Sequence, residues 1–313
     1  MNRAFAQRRS SPIWTLLALA MFTAAAVRAD DFPPELIHWK PVEANPVFKG
    51  AGDGAWDKLI RERGFILVED GLYHLWYTGY NPERSATKFL GYATSKDGLT
   101  WSRSQATPIF DQSWVEDMCV VHVGPTYFLF AEGLNDRAKL LTSTDRIHWT
   151  ERGTLKILDT QGRPIPEGPY GTPTVWVEGD SWSLFYERGD LGVWLARPVS
   201  DDHLVWKNVQ DDPVLKMGPE PYDQAAVAMN QIVKRGDVYY AIYHANSQRP
   251  WKDWTTCIAR SKDLVHWEKA RENPIIQSNS SSGILVETGT GLRLYTMHPE
   301  VRAHVSSDAK LDK

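Results

Sequence analysis

Acidic side chains in this 313-residue chain recur where alternating, strand-like segments begin or end. Trp56-Asp57 and Glu62 precede one segment, Glu116-Asp117 a second, Glu167-Gly168-Pro169-Tyr170 a third and Asp223 a fourth. Glu132, Glu187-Arg188, His244 and His298 follow the partner segments. Carboxylates gathered on one rigid frame can divide the labour of acid–base chemistry. One, kept protonated, gives a proton to a leaving oxygen, while another, kept ionised, activates water or attacks carbon. Their mutual repulsion holds the two pKa values apart. This is the equipment for breaking a glycosidic bond. Trp56 and Tyr170 stand beside carboxylates, where an aromatic ring can stack on a sugar. His244 is balanced between lining a channel and satisfying a core hydrogen bond.

The elements that must position these groups come from a repeat. Trp39, Trp101, Trp206 and Trp267 are each followed seven residues later by a proline, and a degenerate copy starts at Trp149 and ends Lys156-Ile157-Leu158. Ser-x-Asp turns lie ahead of the last four tryptophans: Ser95-Lys96-Asp97, Ser143-Thr144-Asp145, Ser200-Asp201-Asp202 and Ser261-Lys262-Asp263. Earlier in each unit comes a hairpin, with turns at Asp70-Gly71, Gly124-Pro125, Gly179-Asp180, Gly236-Asp237 and Gly289-Thr290. Period-two alternation on either side of such turns is the hairpin signature. A period of about 40–50 residues or more points to a propeller. The last hairpin has no tryptophan copy after it, and the copy at Trp39 precedes the first hairpin. The spacing therefore predicts an all-β, five-bladed β-propeller whose N-terminal strand closes the last blade, which protects the sheet edges.

Residues 1–29 predict a secretory signal peptide. Arg3, Arg8 and Arg9 precede an apolar run over 13–26 that is too short for a membrane span, and Val27-Arg28-Ala29 supplies small residues for cleavage. The expected mature domain is 30–313, exported to the periplasm or the medium, with no membrane attachment. Residues 1–29 hold four of the 35 basic residues and none of the 39 acidic ones, which leaves a net charge of −8. That argues against nucleic acid as a partner. Cys119 and Cys257 fall in non-adjacent blades and read as buried small side chains rather than a bridge. No His/Cys cluster has zinc spacing, and His244 with His298 makes too poor a ligand set for calcium. No metal or cofactor is expected.

At these residues the chain resembles the five-bladed propeller glycoside hydrolases of families 43 and 62, the invertase and levansucrase families 32 and 68, and the related families 117 and 130. Glu167-Gly168-Pro169 is similar to the run that carries the general acid in family 43. Asp117 matches the blade-two aspartate of families 43 and 32, Glu116-Asp117 the acidic pair of the family 130 mannoside phosphorylases, and Trp56-Asp57 the blade-one motif of levansucrases. The blade-one Asp-Pro of families 43 and 32 is absent, and Glu62 stands at its spacing, so either Asp57 or Glu62 is the blade-one carboxylate. The resemblance implies an inverting hydrolase of plant or algal oligo- or polysaccharides, with Glu167 as acid, Asp57 as base and Asp117 tuning the acid. Trp56, Glu62, Glu116, Tyr170, Glu187, Arg188, Asp223 and His244 would contact the carbohydrate. Two alternatives stay open: a phosphorylase of the family 130 type, with Arg61, Arg63 and Arg188 as its phosphate pocket, and a non-catalytic carbohydrate-binding propeller.

Overall fold

The computed structural model describes Met1 and residues 32–308, apart from 167, 169, 190, 191, 251 and 290. The expected signal peptide and Glu167 therefore lie outside the described residues. The chain folds into five sheets, each built on a blade of four antiparallel strands, and the third sheet carries two further short strands. Blade 1 is Leu59–Glu69, Leu72–Tyr80, Phe89–Ser95 and Ser102–Arg103. Blade 2 is Glu116–Val123, Thr126–Gly133, Arg137–Ser143 and Thr150–Thr154. Blade 3 is Thr174–Glu178, Ser181–Glu187, Gly192–Pro198 and Val205–Asn208. Blade 4 is Ala226–Arg235, Val238–Asn246, Thr255–Ser261 and Glu268–Lys269. Blade 5 takes Ile284–Thr288, Gly291–Thr296 and Arg302–Ser306 from the C-terminal side. Its outer strand is Trp39–Pro41, paired antiparallel with Trp39 opposite Ser306 and Pro41 opposite His304. The first strand of each blade touches the first strands of both neighbours, so the five inner strands form a closed ring.

The repeat residues fasten each blade. Asp97 Oδ1 accepts from the amides of Leu99 and Thr100, Asp145 Oδ1 from those of Ile147 and His148, and Asp263 Oδ1 from those of Val265 and His266, all at 2.7–3.0 Å. These aspartates are turn residues of the kind that mimic backbone. The indoles of Trp39, Trp149, Trp206 and Trp267 each donate to the carbonyl three residues upstream. Between blades lie Trp76, Tyr186, Trp206, Tyr243 and Tyr295, all but inaccessible to solvent. Each such side chain removes about 150–250 Å² from water, worth about 4–6 kcal/mol before its entropy cost.

Asparagine replaces backbone at two equivalent places. Asn45 donates to the carbonyl of Ala303 at 2.8 Å and accepts from its amide at 2.7 Å. Asn273 does the same to Ile258, at 2.9 and 2.8 Å. After the proline, Phe48, Phe110, Leu215 and Ile276 bridge back to the third strand of their own blades or its immediate neighbourhood. The degenerate copy differs. It lacks both Asn and Pro, and Lys156–Leu158 runs on to pair in parallel with the outer strand of blade 3. The repeat that lost its punctuation thus stitches blade 2 to blade 3.

Cys119 and Cys257 are buried free thiols. Cys119 bridges blades by contacting the amide and carbonyl of Val175 at 3.4 and 3.7 Å.

Replacing Asn45 by Ala leaves the amide and carbonyl of Ala303 without these bonds. The expected loss is about 1–3 kcal/mol of unfolding free energy, with a similar loss for Asn273→Ala, measured by urea titration. An unchanged midpoint for Asn45→Ala would show that the ring closes without this clasp.

Candidate active site

The inner strands do not enter the ring smoothly. In blade 1, Glu62, Arg63 and Gly64 together oppose one residue of the partner strand, a register break between Arg61 and Phe65. Blade 2 breaks between Glu116 and Cys119, and blade 4 between Met229 and Gln231. Glu62, Asp117, Thr172 and Ser282 have left-handed backbones, with φ between 45° and 58°. A bulge re-aims a side chain, and left-handed non-glycine residues persist only where the surroundings hold them. Here all four residues line one cavity of about 200 Å³, shared with Glu132, Asp136, Glu187, His244, Trp254 and Ser281. Every blade contributes to its wall. Beyond it the inner strands enclose an apolar channel lined by Phe65, Val120, Val175 and Ile232. A larger groove, about 740 Å³, lies along the outer side of blade 4, but its described lining holds a single carboxylate, Glu220. The smaller cavity is the one with groups for acid–base chemistry.

Arg63 lies behind the cavity wall, bonded to Asp117. It is fully buried. Its guanidinium donates to Thr174 Oγ1, the carbonyls of Met229 and Asn230, and those of Asp117 and Pro173, at 2.5–3.1 Å. Its amide donates to Asp117 Oδ1 at 3.2 Å. Gly64 follows because, in the bulge, a Cβ on it would lie 2.5 Å from the Trp76 carbonyl oxygen.

The carboxylates are crowded. Glu132 Oε2 accepts from the amide of Thr172 at 2.9 Å, and Glu187 Oε1 from that of Gly171 at 3.3 Å. A Cβ on Gly171 would collide with Glu132 and lie 2.9 Å from Glu187, which is why glycine stands there. Burial pushes Glu132 well above the usual carboxylate range, helped by Asp117 and by a shared hydrogen bond with Asp136. Burial also raises Asp117, reinforced by Glu116 and opposed by Arg63. Behind Asp117, Glu116 is ion-paired to Lys88 and accepts from the Trp114 indole at 2.7 Å. Glu62 pairs with Arg61 and lies 3.2 Å from His298 Nδ1. His244 sits 2.9 Å from the Asn230 amide, and burial pulls its pKa down to about 3, aided by Arg63 and His298. Its imidazole is therefore neutral at ordinary pH.

Of the residues expected from sequence, Glu62, Asp117, Glu187 and His244 come together in this cavity. Glu116 lies directly behind it. Asp57 does not point into the mouth. It is buried under blade 1, bonded to Tyr77 OH at 3.0 Å and ion-paired to Arg103 of the outer strand at 2.6 Å. Asp223 makes the same pairing in blade 4, with Lys269 at 2.5 Å. Both acids neutralise an outer-strand cation, and the repeat brings them there for that reason. Trp56 stacks on Tyr77 and closes over Gly79. Tyr170 is a core residue, its hydroxyl donating to the Leu155 carbonyl at 2.8 Å and its ring packed on Tyr186. Neither ring lines the cavity. Arg188 is half-buried and is not among the described lining residues. Glu132 stands at a strand end read from sequence without a role, while Asp136, Thr172 and Trp254 were missed. The signal for Trp254 is its place just before the third strand of blade 4, at the end of a hairpin loop. Among the described residues no group of three or more His, Cys, Asp or Glu has an arrangement able to hold a metal ion.

No protein-family model matches the chain. It is 26% identical, over 285 residues, to a 1,2-β-oligomannan phosphorylase of Thermoanaerobacter sp. (strain X514), covering 81% of this chain and 92% of that protein. A structure reported for the family 130 mannoside phosphorylases, a family that contains hydrolases targeting β-1,2-mannosidic linkages in Candida mannan, superposes with a TM-score of 0.67 at 16% identity, covering 88% and 96% of the two chains. The β-1,2-mannobiose phosphorylase of Listeria innocua, bound to β-1,2-mannobiose, gives a TM-score of 0.64 at 15% identity, covering 85% and 95%. The fold is that of the glycoside-active five-bladed propellers.

The buried acids set a pH dependence. Glu132 keeps its proton in the folded state where the unfolded chain has lost it, so its penalty is absent below its ordinary value of 4.5 and grows as pH rises through the elevated folded value. His244 acts in the other direction. Its contribution is full above 6.5 and is lost as pH falls toward about 3. Glu132→Gln is therefore expected to flatten the fall in melting temperature as pH rises above 4.5. A variant with the wild-type pH profile would show that Glu132 is not held protonated.

Proposed function

We propose that the chain hydrolyses β-1,2-linked mannosides from the end of an oligosaccharide. The observation that carries this reading is the charge of the cavity. Five carboxylates, Glu62, Asp117, Glu132, Asp136 and Glu187, line it, and no Lys or Arg is among its described lining residues. The mannoside specificity rests on the oligomannan phosphorylase relative and on the neighbouring structures. The small volume suits one end of a chain, since sites that bury drug-sized ligands occupy about 300–1,000 Å³.

In this mechanism the Asp117–Glu132 pair holds one proton and delivers it to the glycosidic oxygen. Burial and mutual repulsion keep that proton in place until the leaving oxygen takes it. Glu62, on the neighbouring blade 1 and paired with Arg61, receives the proton of the attacking water. Placing water on the face away from the acid gives inversion at the anomeric carbon. Glu62 thus replaces Asp57 as the blade-one base, because Asp57 is committed to Arg103.

Phosphorolysis needs a cationic pocket for the phosphate dianion. Arg63 is fully buried and commits both terminal nitrogens to backbone carbonyls and Thr174, leaving only its Nε–H unpartnered, and Arg61 is paired with Glu62. A phosphate entering the cavity would meet the carboxylates first. The oligomannan phosphorylase relative keeps phosphorolysis as the competing reading.

The decisive experiment incubates the protein with β-1,2-mannobiose, with and without phosphate. Free mannose at a rate independent of phosphate is expected; mannose 1-phosphate formed only with phosphate would overturn hydrolysis. Asp117→Asn is expected to lower turnover by about 10²–10⁴-fold, the usual size of a general-acid contribution. Wild-type turnover in that variant would remove Asp117 from the chemistry.

A further inference from the structure

The cavity wall is divided by blade. All five carboxylates come from blades 1–3, whereas blades 4 and 5 contribute His244, Trp254, Ser281 and Ser282, none of them acidic or permanently charged. We propose that this second wall is the sugar-binding subsite: Trp254 is the stacking platform, His244 a positioning residue, and the ligand an uncharged pyranose. The inference deepens the reading of the protein as a mannoside hydrolase and rests on it for the identity of the sugar.

Trp254 is held in place before any ligand arrives. Its amide donates to Asn279 Oδ1, in the loop that leads to blade 5, at 3.3 Å. The hairpin loop behind it is tied by the fully buried Asn246, which donates to the Lys252 carbonyl at 2.8 Å and accepts from the Gln248 amide at 3.0 Å. The indole is half-buried and stands at 80° to the His244 ring, with centroids 4.9 Å apart. Two perpendicular rings make a corner. A pyranose presents a C–H face and a rim of hydroxyls; the face is buried against the indole, and the rim reaches the imidazole and the serine hydroxyls. A platform fixed from two blades loses little entropy on binding.

The same division sets what is refused. A sugar carrying a carboxylate or phosphate would bring a negative charge into a cavity with five acids and no described lysine or arginine in its lining. The opposite wall offers it hydroxyls and a neutral imidazole only. Neutral hexopyranosides are accepted, and uronic acids and sugar phosphates are excluded.

The test has two arms. In steady-state cleavage of β-1,2-mannobiose, Trp254→Ala is expected to raise KM about tenfold or more with kcat within about threefold, and Trp254→Phe to restore most of the affinity. An unchanged KM in Trp254→Ala, with wild-type melting temperature, would overturn the platform. In the second arm, calorimetry compares mannose with mannuronic acid on the wild-type protein. Binding of mannose at concentrations where mannuronic acid gives no heat is expected, and equal binding would overturn the charge selection. If the wild type cleaves no mannoside, the functional reading fails, while the calorimetric comparison still decides this one.

Discussion

One buried guanidinium holds the centre of the ring. Arg63 leaves blade 1 and satisfies carbonyls or hydroxyls on blades 2, 3 and 4. Taking a cation out of water is expensive, and it is tolerated only where hydrogen bonds and counter-charges are well placed. The carbonyls supply the first, and the one negative charge left on the Asp117–Glu132 pair the second. The acids in turn depend on the cation, because without it their repulsion would have no buried offset. A lysine could not serve, since its three donors radiate from one point, while the planar fork of arginine reaches several strands at once. The positive charge stays behind the cavity wall and leaves the chamber acidic.

Five nearly equivalent blades are thus turned into an unequal chamber. The backbone is treated alike in four of them: a residue with left-handed backbone stands at the cavity rim in blades 1, 2, 3 and 5. What differs is the side chain, Glu62 and Asp117 on one side, Thr172 and Ser282 on the other. The repeat supplies the geometry and leaves chemistry to single positions. That division suits a fold that hosts many activities, because changing a rim residue leaves the blade beneath it intact.

The blade count, the hairpins and the closure by Trp39–Pro41 were legible because they rest on local patterns: turn residues, alternation and the spacing of Trp and Pro. The Ser-x-Asp turns were legible for the same reason. The rim was read in part. Glu62, Asp117, Glu187 and His244 sit at strand ends that a repeat can align. Asp57 and Asp223 sit at equally plausible strand ends and are consumed by Arg103 and Lys269, partners 46 residues further along the chain in each case. Nothing local distinguishes an acid that faces a channel from one that faces an outer-strand cation. Trp56 and Tyr170 misled in the same way, since an aromatic beside a carboxylate also describes a ring packed into the core. The bulges that aim Glu62 and Asp117 have no signature apart from Gly64, and so the tightest part of the site was the least visible.

The seam of the ring lies inside blade 5, where Trp39–Pro41 pairs with Arg302–Ser306. The hydrogen bonds across it join an N-terminal segment to a C-terminal one, with no short loop to back them. Blade 5 carries no acid of the cavity. Blades 2 and 3, which carry four of the five, are instead sewn together by Lys156–Leu158. Breathing of the ring at its seam would therefore open a wedge next to Ser281 and Ser282 while the acidic arc keeps its spacing. The propeller behaves as a clasped bracelet whose clasp is set away from its stones.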